Sequence, residues 1–212
     1  MNTHILQAPN STQPASLTPG GEPSAPLNQQ HYEALRSAKT KRVKINRAIA
    51  VASFNGWSIG IFAALSALFL PLSFSLLGVF ITLGLAAVAY YEFKGRQLLR
   101  ALDTSAPRLL GLNQIGLGVV IVVYCIWSLV AELAGPGAYA QTIQEHPELA
   151  EILGSTEGLY RMAVLLVYGT VIVLTIPYQA LMAWYYFSRS KHLATYISQT
   201  PQWVTDLERA AA

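Results

Sequence analysis

The sequence predicts an all-α integral membrane protein, with four transmembrane helices arranged as a bundle. The 212-residue chain is 53% hydrophobic and only 12% charged, and its mean hydropathy is +0.38. This composition is too apolar for a typical soluble domain. In addition, three long stretches contain no charged residue and no histidine: Ala48 to Tyr91, residues 109–131 and residues 162–188. Stretches of this length cross the ~30 Å hydrocarbon core of a bilayer as helices.

The first charge-free stretch is long enough for two spans. A single helix from Ala48 to Tyr91 would be about 66 Å long, roughly twice the thickness of the hydrocarbon core. Pro71 lacks a backbone donor and clashes with a continuing helix, whereas serines shortly after it can cap a new one. The sequence therefore predicts a tight helical hairpin with spans at 48–70 and 72–91.

Two segments precede this hairpin. Residues 1–28 are rich in proline, serine and other polar residues, which predicts a disordered cytoplasmic tail. Residues 29–47 predict a basic juxtamembrane helix, whose cations are candidates for binding anionic lipid headgroups: Arg36, Lys39, Lys41, Arg42, Lys44 and Arg47. A purely topogenic role under the positive-inside rule explains the same cations and is favoured, because Lys39 interrupts the apolar face.

The remaining elements follow in order. Asp103 to Ser105 predict the end of the second helix, and Pro107 is typical of the first turn of the next. The third span is predicted at 109–131, followed by an acidic external loop at 132–160 that contains a short helix from Pro147 to Leu153.

The fourth span is predicted at 162–188, with Pro177 as a potential kink and an aromatic belt at its end. Residues 189–212 predict a cytoplasmic C-terminal tail with a short helix. Trp203 and Leu207 of that helix could rest on the membrane surface.

The positions of the basic residues predict the orientation. Of the 14 lysines and arginines, only Arg161 falls at the predicted external loop. Both termini are therefore expected in the cytoplasm, with the protein in the plasma (cytoplasmic or inner) membrane. Because topology explains the charge distribution, the net charge of +3 does not indicate a nucleic-acid partner.

The two halves of the chain resemble each other. Residues 90–98 align without gaps on residues 185–193, with basic residues in register, and Asn55 and Gly60 align on Asn113 and Gly118. This pattern indicates two parallel hairpins related by a pseudo-twofold axis along the membrane normal. Aromatic belts and basic flanks also recur in any bundle with an even number of spans, which is the alternative explanation.

The sequence contains one pattern that resembles a catalytic motif. Gly56-Trp57-Ser58-Ile59-Gly60 fits the G-x-S-x-G motif of serine hydrolases, but it lies in a predicted membrane helix with no histidine at the same depth. We therefore expect no enzyme activity and no cofactor or metal. Gly56 and Gly60 are instead expected to form a small-residue face that packs against another helix.

Polar amides occur within the predicted spans: Asn55, Asn113, Gln114 and Gln179. A hydrogen-bonded layer between helices is favoured over a vestibule for a solute, and both asparagines are expected to face the interior near Gln179. Glu92 lies four residues before Arg96. An ion pair between these two at the membrane edge is favoured over a proton-carrying carboxylate.

Two functions are consistent with these features. The favoured one is a non-catalytic accessory, scaffold or assembly partner that contacts anionic lipid and another membrane protein or a second copy of itself. The alternative is a small oligomeric channel or transporter that uses the polar Asn/Gln layer. A pore within one subunit would need a continuous polar stripe, which these spans lack.

Overall fold

The computed structural model describes residues 28–71, 76–134, 143–145 and 157–211. These residues are helical between short turns, and no strand occurs among them. Apart from the helical turn at residues 143–145, the described residues form α1 (Gln29–Phe69), α2 (Leu76–Arg100), α3 (Ala106–Ala134), α4 (Glu157–Gln199) and α5 (Gln202–Ala210). The first four are long and apolar enough to cross a membrane. The prediction of an all-helical protein with four helices long and apolar enough to span a membrane is therefore confirmed for the described residues.

The predicted spans fall on these four helices. Span 48–70 occupies the second half of α1 and ends at its C-cap, Leu70, and the third and fourth spans lie within α3 and α4. Residues 72–75 of the second predicted span lie outside the described residues. So do residues 1–27 of the predicted tail and most of the predicted external loop, including the helix expected at 147–153.

Helix α1 joins the predicted basic helix and the first span into one element. Its first turn is closed by a capping box, in which the His31 backbone N–H donates to Asn28 Oδ1 at 3.0 Å and the Asn28 N–H donates to His31 Nδ1 at 3.3 Å. No glycine or proline occurs between Gln29 and Asn55, so nothing in the sequence ends the helix at the membrane edge.

A tight turn links α2 to α3. Leu102 has a left-handed backbone (φ 57°), while the Asp103 N–H donates to Leu98 O at 2.9 Å and the Leu102 N–H donates to Leu99 O at 3.2 Å. This is a Schellman C-cap with leucine where glycine is usual. The Leu102 side chain is buried in the core, which offsets the backbone strain.

The Asp103 side chain stabilises the turn that leads into the next helix. The Ser105 N–H donates to Asp103 Oδ1 at 2.8 Å, and the hydrogen bonds from Ser105 lower the pKa of the Asp103 carboxyl. Helix α3 begins at Ala106 with Pro107 in its first turn, as the sequence predicted.

The helices pack in sequence: α1 contacts α2, α2 contacts α3, α3 contacts α4, and α1 also contacts α4. The larger of two buried clusters lies where the first half of α1 meets α5, the C-terminal ends of α2 and α4 and the start of α3. We call this region the basic end. Its buried apolar residues are Ala38, Ile45, Ala48, Ala52, Leu99, Leu102, Ala106, Leu110, Tyr186, Leu193, Tyr196 and Val204.

Helix α5 closes the basic end. Trp203 packs against this core, and its ring meets that of His31 edge to face at 5.3 Å. Protein therefore covers part of the Trp203 ring, and the expectation that this helix rests on the membrane surface stays a prediction. Leu207, on the same helix, is exposed.

Candidate functional site

A buried carboxyl group on α2 collects polar side chains from two other helices. Glu92 is 0% exposed. Its Oε1 accepts hydrogen bonds from Asn113 Nδ2 at 3.0 Å and from Gln114 Nε2 at 2.6 Å. Its Oε2 accepts a longer one from the Tyr186 hydroxyl at 3.4 Å. Three neutral donors from α3 and α4 therefore solvate this carboxyl in place of water.

Two further polar contacts connect these side chains to the backbone of α2 and to α1. Asn113 Nδ2 also donates to Val88 O at 3.0 Å, one helical turn before Glu92. The side chain of Asn55 on α1 is a polar neighbour of the Tyr186 hydroxyl. We call these five side chains, Asn55, Glu92, Asn113, Gln114 and Tyr186, the Glu92 network; it joins all four long helices.

The expected ion pair between Glu92 and Arg96 is not formed. The carboxyl group turns inward, where it has three donors, whereas Arg96 Nε is buried without a hydrogen-bond partner. The sequence interpretation considered only the local i,i+4 partner. The partners that the fold provides lie 21, 22 and 94 residues further along the chain.

Gln179 does not join the polar layer that was predicted for it. It lies seven residues before Tyr186 on α4, about 10 Å along the helix axis, and a Cβ placed on Gly118 would lie 3.3 Å from the Gln179 Cβ. Its Oε1 is buried without a partner. It is the one polar side chain lining an apolar cavity of about 340 Å³ between α3 and α4.

Glycines bring the helix backbones together around the Glu92 network. A Cβ at Gly56 would lie 3.2 Å from Phe93 Cε1 and 3.3 Å from Glu92 Cβ. One at Gly60 would lie 3.9 Å from Ala89 Cβ, so the predicted small-residue face of α1 lies toward α2. The same region of α1 contains the G-x-S-x-G pattern, which therefore lies in a continuous helix and not at a strand-to-helix turn.

Two closer helix contacts, at Gly95 and Gly111, were not predicted from the sequence. A Cβ on Gly95 would lie 2.5 Å from Leu110 Cγ, and one on Gly111 would lie 2.5 Å from Phe187 Cε1. Both are too close for any other residue to fit without displacement. Gly95 follows Glu92 by three residues and Gly111 precedes Asn113 by two, so these contacts set the spacing of α2, α3 and α4 beside the network.

The six predicted headgroup cations divide into two groups. Arg36, Lys39, Lys41, Lys44 and Arg47 are exposed on α1. Arg42 is half-buried, and its Nη1 forms a 2.7 Å ion pair with Glu208 Oε1 of α5. The Tyr196 hydroxyl of α4 donates to Glu208 Oε2 at 2.8 Å. One carboxylate thus ties α1, α4 and α5 together at the basic end.

Comparison of the chain with models of known protein families, with characterised proteins and with solved structures gives no match. The function of the chain is therefore inferred from its own residues.

Proposed function

We propose that the four long helices form a four-helix bundle of two hairpins, α1–α2 and α3–α4, related by a pseudo-twofold axis along the membrane normal. The crossed polar contacts of the Glu92 network support this arrangement. Asn55 of the first hairpin meets Tyr186 of the second, and its repeat equivalent Asn113 meets Glu92 of the first. Tyr186 aligns on Tyr91, the neighbour of Glu92, so the two contacts join nearly equivalent positions.

We further propose that both termini are cytoplasmic in a plasma (cytoplasmic or inner) membrane, because nearly all basic residues lie toward one side. Single cysteines introduced at positions 20, 144 and 202 test this orientation, since the native Cys125 is buried. In sealed cells, an impermeant thiol reagent should label position 144 only. Labelling of positions 20 and 202 with protection of 144 would contradict the orientation.

We propose that the protein is a non-catalytic accessory, scaffold or assembly partner in a membrane complex. The observation that carries this proposal is the rigid construction of the basic end. α1 extends 19 residues before its predicted span and α4 extends 11 residues after its own, about 28 Å and 16 Å of helix. Together with α5 and the adjoining ends of α2 and α3, they surround the larger buried apolar cluster, which continues into the predicted spans. A structured projection of this kind offers a fixed contact surface next to the bilayer, in addition to anionic lipid.

The interior of the bundle also favours this function over conduction. The polar groups of the Glu92 network bind one another, and the cavity beside Gln179 is apolar apart from that residue. A conducting path needs polar groups that are free to exchange partners with a solute.

The experiment is site-specific photo-crosslinking in native membranes. A photoreactive residue at Tyr32, 60% exposed at the basic end, is compared with one at Leu159, 70% exposed at the start of α4. The accessory function predicts one stoichiometric adduct from position 32 and none from position 159. Purified protein in liposomes should show no selective flux. Equal adducts from both positions would indicate random collisions and contradict the proposal.

A channel or transporter is the second candidate, favoured by one observation. Glu92 is an ionisable residue buried among the long helices, and such residues commonly mark ion or proton pathways. Selective flux in liposomes that is lost in Glu92→Gln, a variant expected to keep the fold, would establish this candidate and refute the accessory function.

A further inference from the structure

The basic end contains a polar cavity that the Glu92 network does not use. It has a volume of about 600 Å³ and lies between α1, the end of α2 and the end of α5. Its α1 wall is a single stripe running from Arg42 through Asn46 to Ser53. Asn46 follows Arg42 by four residues, and Ser53 follows Asn46 by seven. These spacings place all three residues on one face of the helix, over about 16 Å.

Three arginines surround this cavity. Arg42 of α1 faces Arg96 and Arg100 of α2, and Arg42 Nη2 lies 3.5 Å from Arg100 O. Glu208 is the one acidic residue in the wall, and its carboxylate is engaged by Arg42. Among the described residues no carboxylate is ion-paired with Arg96 or Arg100. Two positive charges therefore remain uncompensated.

In two of these guanidinium groups the Nε donor also lacks a hydrogen-bond partner. Nε of Arg42 and Nε of Arg96 are both buried and unbonded. A buried donor without a partner is unfavourable, and like charges brought together repel each other. An anion bound in the cavity would offset this repulsion.

We propose that this cavity binds a phosphomonoester group through Arg96 and Arg100, with the positive charge of Arg42 beside them. The dianionic group matches the two uncompensated charges, and guanidinium forks suit its oxygens. Ile49, Ala50 and Leu207 supply an apolar wall for the carbon part of the ester. The group can come from the headgroup of a lipid such as phosphatidate or from a soluble phosphate. This site does not depend on the proposed accessory function.

The test uses the full chain and two probes. Thermal unfolding in a neutral detergent is measured with inorganic phosphate against sodium chloride at equal ionic strength. It is also measured in nanodiscs of phosphatidylcholine with and without phosphatidate. The double variant Arg96→Gln/Arg100→Gln removes the two free charges but leaves the Arg42–Glu208 ion pair in place. Arg36→Gln/Lys39→Gln, at exposed positions of α1, is the control with the same change in charge.

We expect inorganic phosphate, phosphatidate or both to raise the melting temperature of the wild-type protein. The pocket variant should bind roughly tenfold or more weakly, as expected for lost charge-assisted hydrogen bonds, whereas the control should stay close to wild type. A response to phosphatidate alone assigns the site to a lipid headgroup, and a response in both arms shows that the phosphate group is sufficient. No response in either arm, or an equal loss in the control, overturns the proposal.

A second variant keeps the test valid if the double variant does not fold. Ala50→Phe fills part of the cavity without changing the charge, and it is expected to abolish the rise in melting temperature while circular dichroism remains that of wild type. An unchanged response in Ala50→Phe would place the anion elsewhere and overturn the proposal.

Discussion

Replacing Glu92 by leucine should destabilise the protein far more than replacing it by glutamine. In Glu92→Leu, Gln114 Nε2 and the Tyr186 hydroxyl lose the acceptors that they have at 2.6 Å and 3.4 Å, whereas Asn113 Nδ2 keeps Val88 O. Each of these two buried donors left without an acceptor costs about 1–3 kcal/mol, and the lost bond from Asn113 contributes about 0.5–1.5 kcal/mol. Relief from burying the carboxyl group offsets part of this sum. We expect a net loss of roughly 2–4 kcal/mol.

Glutamine preserves most of the network. Its Oε1 can accept from Asn113 and Gln114 as the native oxygen does, and its amide group can donate to the Tyr186 hydroxyl, which then serves as the acceptor. The expected cost of Glu92→Gln is therefore below about 1 kcal/mol.

The two variants are compared by unfolding in mixed detergent micelles, followed by circular dichroism and by the reactivity of Cys125, which is 1% exposed in the folded chain. If glutamine is as damaging as leucine, the negative charge holds the network together and the hydrogen-bond reasoning is refuted. If leucine is tolerated, the network does not stabilise the fold.

Three further predictions concern the helix contacts and the α2–α3 turn. Gly111→Ala should lose about 1–3 kcal/mol in unfolding assays, because its Cβ would overlap an aromatic ring of α4. Gly116→Ala, which meets no atom within 4 Å, should be neutral or gain up to about 1 kcal/mol; equal losses would contradict this. Leu102→Ala should lower the free energy of unfolding by about 2–5 kcal/mol. Leu102→Gly should lower it by about 1 kcal/mol less, because glycine relieves the positive φ. A larger loss for glycine than for alanine would show that the turn is unstrained. Folding lowers the pKa of Asp103 from its unfolded value of 3.8. The ionised carboxyl group therefore stabilises the fold fully at pH values above 3.8, and this stabilisation is lost as the pH falls through the lower pKa of the folded state. Asp103→Asn should reduce this acid-dependent drop in melting temperature, and an unchanged profile would assign the drop to other carboxyl groups.

The sequence predicted the long helices because their signals are local. A charge-free stretch of about 20 residues can satisfy its backbone in a bilayer only as a helix or within a closed barrel, and residues 103–107 contain recognisable stop and start signals. The continuity of α1 was harder to predict. Its basic residues suggested a boundary near Arg47, but charge marks where a helix leaves the bilayer and not where it ends.

The Glu92 network could be predicted only in part. Asn55, Asn113 and Gln114 were recognised because amides are uncommon in apolar spans. Glu92 was assigned a neighbour on its own helix, since a single sequence does not reveal which of several helices faces a given side chain. One signal was available: Glu92 lies between Tyr91 and Phe93, at a predicted depth similar to that of the amides. Tyr186 gave no such signal, because it resembles the other tyrosines of the interfacial belts.

Helices α1 and α4 contact each other's network at two points, and neither helix is interrupted between them. At the first point, Arg42 and Tyr196 both bind Glu208; at the second, Asn55 lies beside Tyr186. The two points are separated by about 20 Å along α1 and about 15 Å along α4, and no loop lies between them. A displacement of α1 relative to α4 should therefore disturb both contacts. We expect a displacement of Glu208 to affect Tyr186 and the Glu92 carboxyl group that Tyr186 contacts.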